Sequence, residues 1–135
     1  MNAGNVEKKR QKRTMVVVDD EESMRSLFSR SFKEADVHTC GSAEEAFQII
    51  DGMSVDVMII DIKLPGMDGC SFCSDIRDDF PDSFILAITG YADKFEFAEC
   101  KSAGFDGYFV KPINLKMLHQ VIDEHFRKKD SGEIN

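Results

Sequence analysis

The sequence predicts a doubly wound α/β domain in which a five-stranded parallel sheet carries helices on both faces. Two observations carry the fold. Short, β-branched apolar runs recur five times along the 135 residues, and each is followed by a segment whose apolar residues repeat at helical spacing. Regular alternation of that kind, with helical crossovers, is the pattern of a parallel sheet covered on both sides. A third observation bears on function: four of the five runs end on a polar or charged residue that a buried strand does not itself need.

The elements follow in order. Met15-Val16-Val17-Val18 reads as a first buried strand ending on Asp19-Asp20-Glu21. From Glu22 to Ala35, Met24, Leu27, Phe28 and Phe32 recur at helical spacing and predict a first amphipathic helix. Val37 to Cys40 is a weaker second strand closed by Gly41. Ser42-Ala43-Glu44-Glu45 is a capping-box pattern opening a second helix, with Ala43, Ala46, Phe47 and Ile50 as its buried stripe. Val55 to Ile60 is a near-continuous apolar run, a third strand that stops at Asp61 and gives way to Pro65-Gly66 and Asp68-Gly69. Phe72, Cys73, Ile76 and Phe80 mark a third helix ending at Pro81. Phe84 to Ile88 is a fourth strand ending on Thr89-Gly90, and Ala92, Phe95, Ala98 and Ala103 predict a fourth helix closed by Gly104. Tyr108-Phe109-Val110 is a fifth strand ending on Lys111-Pro112. Leu115, Leu118, Ile122 and Phe126 then repeat along a fifth helix with Asn114 as its N-cap. The domain organisation expected is a basic N-terminal arm over 1–13, one folded domain over 14–128, and a polar tail or linker start over 129–135.

Composition narrows the function classes. The net charge is −8, but residues 1–14 carry +4 and the remainder −12. An acidic body argues against direct nucleic-acid binding by the folded domain. No apolar run approaches the ~20 residues that span a bilayer, and the N-terminus has no signal-peptide core, so a cytoplasmic protein without membrane contact is expected. Cys70-x-x-Cys73 lacks a second Cys or His pair at zinc-site spacing, and Cys73 fits a helical apolar face, so the thiols read as core residues of a reducing compartment. His38, His119 and His125 form no ligand pattern.

In a parallel sheet all carboxyl ends lie on one edge, which is where open α/β folds bind ligands. Asp19 and Asp20, Asp61, Thr89 and Lys111 can therefore converge. Clustered acids without compensation would raise a carboxylate pKa, and a divalent cation and a lysine ammonium are the natural compensation. With no histidine or thiol in the set, the site suits a hard ion such as Mg²⁺, with Mn²⁺ as a substitute. A carboxylate nucleophile, a metal, a lysine and a hydroxyl are the parts needed for phosphoryl transfer to aspartate.

Val17-Val18-Asp19-Asp20-Glu21, Asp61-x-x-Leu64-Pro65-Gly66-Met67-Asp68-Gly69, Thr89-Gly90 and Lys111-Pro112, in that order on matching elements, resemble the receiver domain of two-component response regulators. The resemblance covers roughly residues 14 to 128. It implies a flavodoxin-like strand order of 2-1-3-4-5, Asp61 as phosphoacceptor, and Asp19 and Asp20 with the Lys63 carbonyl and Asp61 as metal ligands. It further implies Lys111 and Thr89 as phosphate-sensing groups, Tyr108 as the switch aromatic, and a cis peptide before Pro112. A histidine kinase or histidine phosphotransfer protein would be the donor. The surface of helix four, strand five and helix five would be the readout, with homodimerisation on phosphorylation as one output and the downstream target unspecified. Lys63 and Tyr91, two beyond the phosphoacceptor and the threonine, are bulky and are expected to lengthen the phosphate's lifetime. The expected role is a phosphoacceptor signalling domain that promotes its own phosphorylation and dephosphorylation, not an enzyme.

Two other readings share some of these parts. A haloacid-dehalogenase-type hydrolase would place Asp-x-Asp-x-Thr after the first strand, whereas here the single acid ends strand three and position 63 is lysine. A phosphate-independent receiver-like interaction module would need none of the key residues, all of which are present.

Overall fold

In the computed structural model, residues 12–90 and 94–134 are described. The chain alternates strand and helix throughout: β1 (Thr14–Val18), α1 (Glu22–Ser31), β2 (Asp36–Cys40), α2 (Ala43–Ile50), β3 (Val57–Asp61), α3 (Gly69–Ile76), β4 (Phe84–Thr89), α4 (Lys94–Ala103), β5 (Gly107–Val110) and α5 (Leu115–Asp130). The five strands form one parallel sheet in the order β2-β1-β3-β4-β5, as expected.

Alternate residues of each strand face opposite sides of a sheet, so the strands divide their apolar residues between two cores. Val16, Val18, Met58, Ile60, Ile85 and Ala87 pack with Ala43, Ala46 and Ile50 of α2, Phe72, Cys73 and Ile76 of α3, and Cys100 of α4. Met15, Val17, Val57, Ile59, Leu86 and Ile88 pack with Phe28 and Phe32 of the α1 side and Leu118, Ile122 and Phe126 of α5. β3 and β4 are buried along their whole length, which is why their sequences are apolar without alternation. β2 is an edge strand with only Cys40 buried, which accounts for its weak signal.

Several boundaries differ from the sequence expectation, each for a local reason. α1 ends at Ser31, because Phe32 leaves helical backbone at φ −111° while its ring stays in the core. The apolar repeat to Ala35 thus reflects packing beyond the helix. α3 begins at Gly69, where Asp68 is the N-cap and accepts from the Ser71 amide at 2.8 Å, and it gives way to a 3₁₀ turn over Arg77–Asp79. α5 continues to Asp130, beyond the last apolar repeat at Phe126, with Arg127, Lys128 and Lys129 favourably placed at its C-terminal end. In α2 the capping box forms halfway: Ser42 Oγ accepts from the Glu45 amide at 3.1 Å, and the Glu45 carboxylate accepts from the Ser42 hydroxyl at 3.4 Å. Asn114 caps α5 as expected, accepting from the Met117 amide at 3.1 Å.

Most of the expected basic arm lies outside the described residues. Its last residue, Arg13, belongs to the fold: it pairs with Asp130 at 3.3 Å and lies 3.9 Å above the Phe126 ring. Two of the three histidines are packing residues, and His38 lies at the surface with Nε2 3.2 Å from Asp36 Oδ2. His119 stacks on Phe32 and His125 on Phe84, with ring centroids 4.0 and 3.9 Å apart. Burial holds the His125 ring below the ordinary imidazole pKa. Among the described residues, no helix is long and apolar enough to cross a membrane.

Candidate functional site

The sheet register assembles the site. Val18 is level with Ile60 and Asp61 with Ile88, so Asp19, one residue past β1, stands beside Asp61 at the end of β3. Thr89 is level with Val110, and the Lys111 amide donates to the Thr89 carbonyl at 2.7 Å, carrying the lysine to the same edge. The Lys111–Pro112 peptide is cis.

Carboxylate oxygens of Asp19, Asp20 and Asp61 lie within 4.8 Å of one another. Asp19 and Asp61 are buried and Asp20 is exposed, so the cluster opens to solvent on the Asp20 side. Lys111 Nζ sits at 3.2 Å from Asp61 Oδ2, 3.3 Å from Asp19 Oδ2 and 2.6 Å from Glu21 Oε1. Backbone amides fix the two buried acids: Glu21 N donates to Asp19 Oδ1 at 2.9 Å and Lys63 N to Asp61 Oδ1 at 3.1 Å. Asp19 is therefore not the helix cap; the N-cap of α1 is Glu21, which makes no side-chain capping bond.

Electrostatics follow from burial and crowding. Burial, then the neighbouring Asp19 charge, pushes the Asp61 carboxyl up to about 6, against the lowering influence of Lys111 and the Lys63 amide. Burial likewise holds Asp19 above its ordinary value, opposed by the Glu21 amide and Lys111. For Lys111, burial acts downward but the hydrogen bond to Glu21 and the charges of Asp19 and Asp61 outweigh it, keeping the ammonium protonated. The site thus carries more negative charge than one lysine neutralises. Asp19 Oδ2, although close to Lys111, is buried without accepting a hydrogen bond. An all-oxygen donor set with an orphaned buried carboxylate oxygen fits a hard divalent cation.

The remaining expected residues divide. Thr89 is fully buried at the end of β4. Tyr108 is half-buried on β5, edge-on to Phe97 with ring centroids 5.4 Å apart. The Lys63 side chain is exposed at the rim of the site. Tyr91 lies outside the described residues.

The supporting roles of four residues are not legible in the sequence. Glu21 holds Lys111 from the solvent side, and Arg25 donates to the Asp19 carbonyl at 2.7 Å. Glu44 on α2 reaches across to accept from the Met67 amide at 3.2 Å, pinning the β3–α3 loop. Gly69 starts α3 against β3, and a Cβ there would collide with the Asp61 carbonyl and lie 2.8 Å from Ile62 Cα. Each had a visible signal, as an extra acid after Asp19-Asp20, an arginine one turn into α1, an acid opening α2 and a glycine after an N-cap, but none signals a site by itself.

The receiver-domain profile described as "Response regulator receiver domain" matches residues 15–123. The chain is 30% identical over 124 residues to the sensor kinase CckA of Brucella abortus, covering 87% of this chain and 13% of that protein. It is 32% identical over 126 residues to the probable transcriptional regulator ycf27 of Guillardia theta, covering 92% of this chain and 49% of that one. The chain therefore spans half or less of the length of each of these relatives. Its fold matches the crystal structure of a CheY-like response regulator receiver domain protein from Methanospirillum hungatei, with a TM-score of 0.84 at 24% identity over 90% of this chain and 99% of that one. With the fold, the acidic cluster at the strand ends and the profile in agreement, the chain belongs to the response regulator receiver domain family.

Proposed function

We propose that the chain is a phosphorylation-controlled signalling switch in which Asp61 accepts a phosphoryl group from a phosphohistidine on a histidine kinase or a histidine phosphotransfer protein. The observation that carries this reading is the convergence of three carboxylates and Lys111 on one sheet edge, from the ends of β1, β3 and β5. Asp19, Asp20, Asp61 and the backbone carbonyl of Lys63 would hold a divalent cation, Mg²⁺ or in its place Mn²⁺. When bound, the ion supplies charge neutralisation for the phosphoryl oxygens and for the crowded acids.

The chain's own residues do the rest. An Asp61 carboxylate oxygen forms the new P–O bond as the P–N bond to the donor imidazole breaks, and the bonding pair returns to that ring. Lys111 already faces Asp61 and pairs with phosphoryl oxygen charge as it arrives. The Thr89 hydroxyl donates to a second phosphoryl oxygen. The modification adds about −1.5 to −2 charges where one lysine served the acids, so Lys111 and Thr89 are drawn inward. Tyr108, on the strand next to Thr89, follows, and the face of α4, β5 and α5 changes for the downstream target or a second copy of the chain. Lys63 and Tyr91 screen the aspartyl phosphate from water and set its lifetime, so the chain controls its own dephosphorylation. This is a signalling role without substrate turnover, and the polar residues that follow α5, which runs to Asp130 and not to 128, would be the tail or linker after the domain.

The hydrolase reading is disfavoured because the buried acids come from two strands and the residue two beyond Asp61 is lysine. Incubation with Mg²⁺ and a small acyl phosphate tests the proposal. One labile phosphoryl group per chain supports it. Continuous phosphate release without a labelled chain supports the hydrolase, and no reaction supports the phosphate-independent module.

A further inference from the structure

The sulfur atoms of Cys70 and Cys100 lie 3.9 Å apart, one on the first turn of α3 and the other on α4. The helices pack side by side, and a shallow groove between them is lined by Cys70, Ser71, Asp75, Ala98, Glu99 and Ser102. Cys70 is half-buried on that groove, whereas Cys100 beneath it is 2% exposed. The other two thiols are differently placed. Cys73 faces the core and burial pushes it up to about 12; Cys40 is buried at the end of β2 and pushed up to about 11 by the same cause. Among the described residues, none of the four cysteines is in a disulfide.

We propose that Cys70 and Cys100 form a reversible oxidative modification site that closes into a disulfide between α3 and α4 when the chain meets a low-molecular-weight disulfide of the glutathione class. Access sets the order of events. The Cys70 thiolate, reachable from the groove, attacks one sulfur of the donor; the donor's S–S bond breaks and one glutathione thiolate leaves. The Cys100 thiolate then attacks the Cys70 sulfur, the mixed disulfide breaks and the second glutathione leaves. The two protein thiols lose two electrons, the donor gains them, and both thiol protons end on the two released glutathiones. Closing 3.9 Å to a bond of about 2.05 Å is a displacement that two side-chain rotations on neighbouring helices can share.

The consequence lies in α4. Phe97, one helical turn before Cys100, is 53% exposed and packs edge-on against Tyr108. A covalent link at Cys100 holds α4 to α3 and restrains that aromatic pair. Oxidation then lets Asp61 be modified while suppressing the response at Tyr108. This consequence rests on the proposed switching role; the disulfide itself does not.

The test equilibrates the full chain, without phosphodonor, in oxidised and reduced glutathione and reads intact mass and peptide maps. The expected result is loss of two hydrogens with a Cys70–Cys100 linked peptide, reversed by dithiothreitol. Cys100→Ser should stop at a glutathione adduct on Cys70, and Cys73→Ser should behave as the parent chain. A persistent adduct on Cys70 in the parent chain, a link through Cys73, or no reaction would overturn the proposal. Because this readout needs no phosphoryl donor, a failure to label Asp61 in a chain that forms the disulfide would count against the phosphoacceptor reading alone.

Discussion

The Lys111 ammonium lies 3.2 Å from Oδ2 of Asp61, joining the end of β5 to the end of β3 across β4. It is a positive charge serving several acids, since Asp19 Oδ2 is 3.3 Å away and Glu21 Oε1 2.6 Å. Lys111→Ala removes the influence that holds Asp61 down, so its carboxyl should titrate above about 6. Carbon-13 NMR of the aspartate carboxyls measures this directly. An unchanged Asp61 titration would show that the lysine does not act on it.

Stability of the metal-free chain should depend on pH through the same acid. The ordinary value of 3.8 applies in the unfolded chain and about 6 in the folded one, so the fold binds this proton more tightly. Asp61 therefore contributes stability that is full below the unfolded value and is lost as pH rises through about 6. His125, depressed in the fold, acts oppositely: its contribution is full above 6.5 and lost as pH falls through its lowered value. Denaturant melts of the parent and Asp61→Asn chains isolate the first effect. Between about pH 4 and about pH 7 the parent should lose on the order of 2 kcal/mol relative to the variant. A divalent cation should restore it at the higher pH.

Gly69 permits a close approach. A methyl group at this position meets the Asp61 carbonyl and Ile62 Cα, backbone atoms that cannot rotate away. Gly69→Ala should cost more than about 2 kcal/mol in a chemical melt and slow labelling of Asp61, because relief of the clash moves β3 or α3. A variant as stable and as reactive as the parent would show that the contact relaxes without consequence.

Arg77 joins α3 to the sheet. Its guanidinium donates to the carbonyls of Gly104, Phe80, Pro81 and Ser83 and to the Asp106 carboxylate, which itself accepts from the Ile85 amide. Arg77→Ala should lower stability by about 2–3 kcal/mol, since charge-assisted bonds to part-buried carbonyls are lost together. Hydrogen exchange should rise first at Gly104 to Asp106. A loss confined to a few tenths of a kcal/mol would mean water replaces the arginine freely.

Lys63 and Tyr91 carry the kinetic expectation. Replacing both with small residues should shorten the lifetime of a phosphoryl group on Asp61, measured as phosphate release from the purified labelled chain. An unchanged or slower release would contradict the screening role.

The parts legible in the sequence were those encoded by contiguous pattern. Whole-length burial of β3 and β4 leaves apolar runs that no surface strand would show, and Asp61, Thr89 and Lys111 stand out because each interrupts or ends such a run. The end of α1 was less legible, because Phe32 is buried without being helical and periodicity cannot separate the two. The support of the site was least legible. Glu44 and Met67 meet across 23 residues of chain, and Arg25 acts on a backbone carbonyl, so neither leaves a local spacing to read. Cys70 read as part of a pair with Cys73, three residues on, whereas its sulfur faces Cys100 on the next helix.

The central claim is that Asp61 is the nucleophile and that its neighbours serve it. Borohydride reduction of the chain, immediately after reaction with an acyl phosphate and Mg²⁺, converts an aspartyl phosphate to homoserine and fixes its position for peptide sequencing by mass spectrometry. Homoserine at position 61, absent from Asp61→Asn and sharply reduced in Lys111→Ala, is the predicted result. Homoserine at Asp19 or Asp20, or a parent chain in which position 61 remains aspartate, would contradict it.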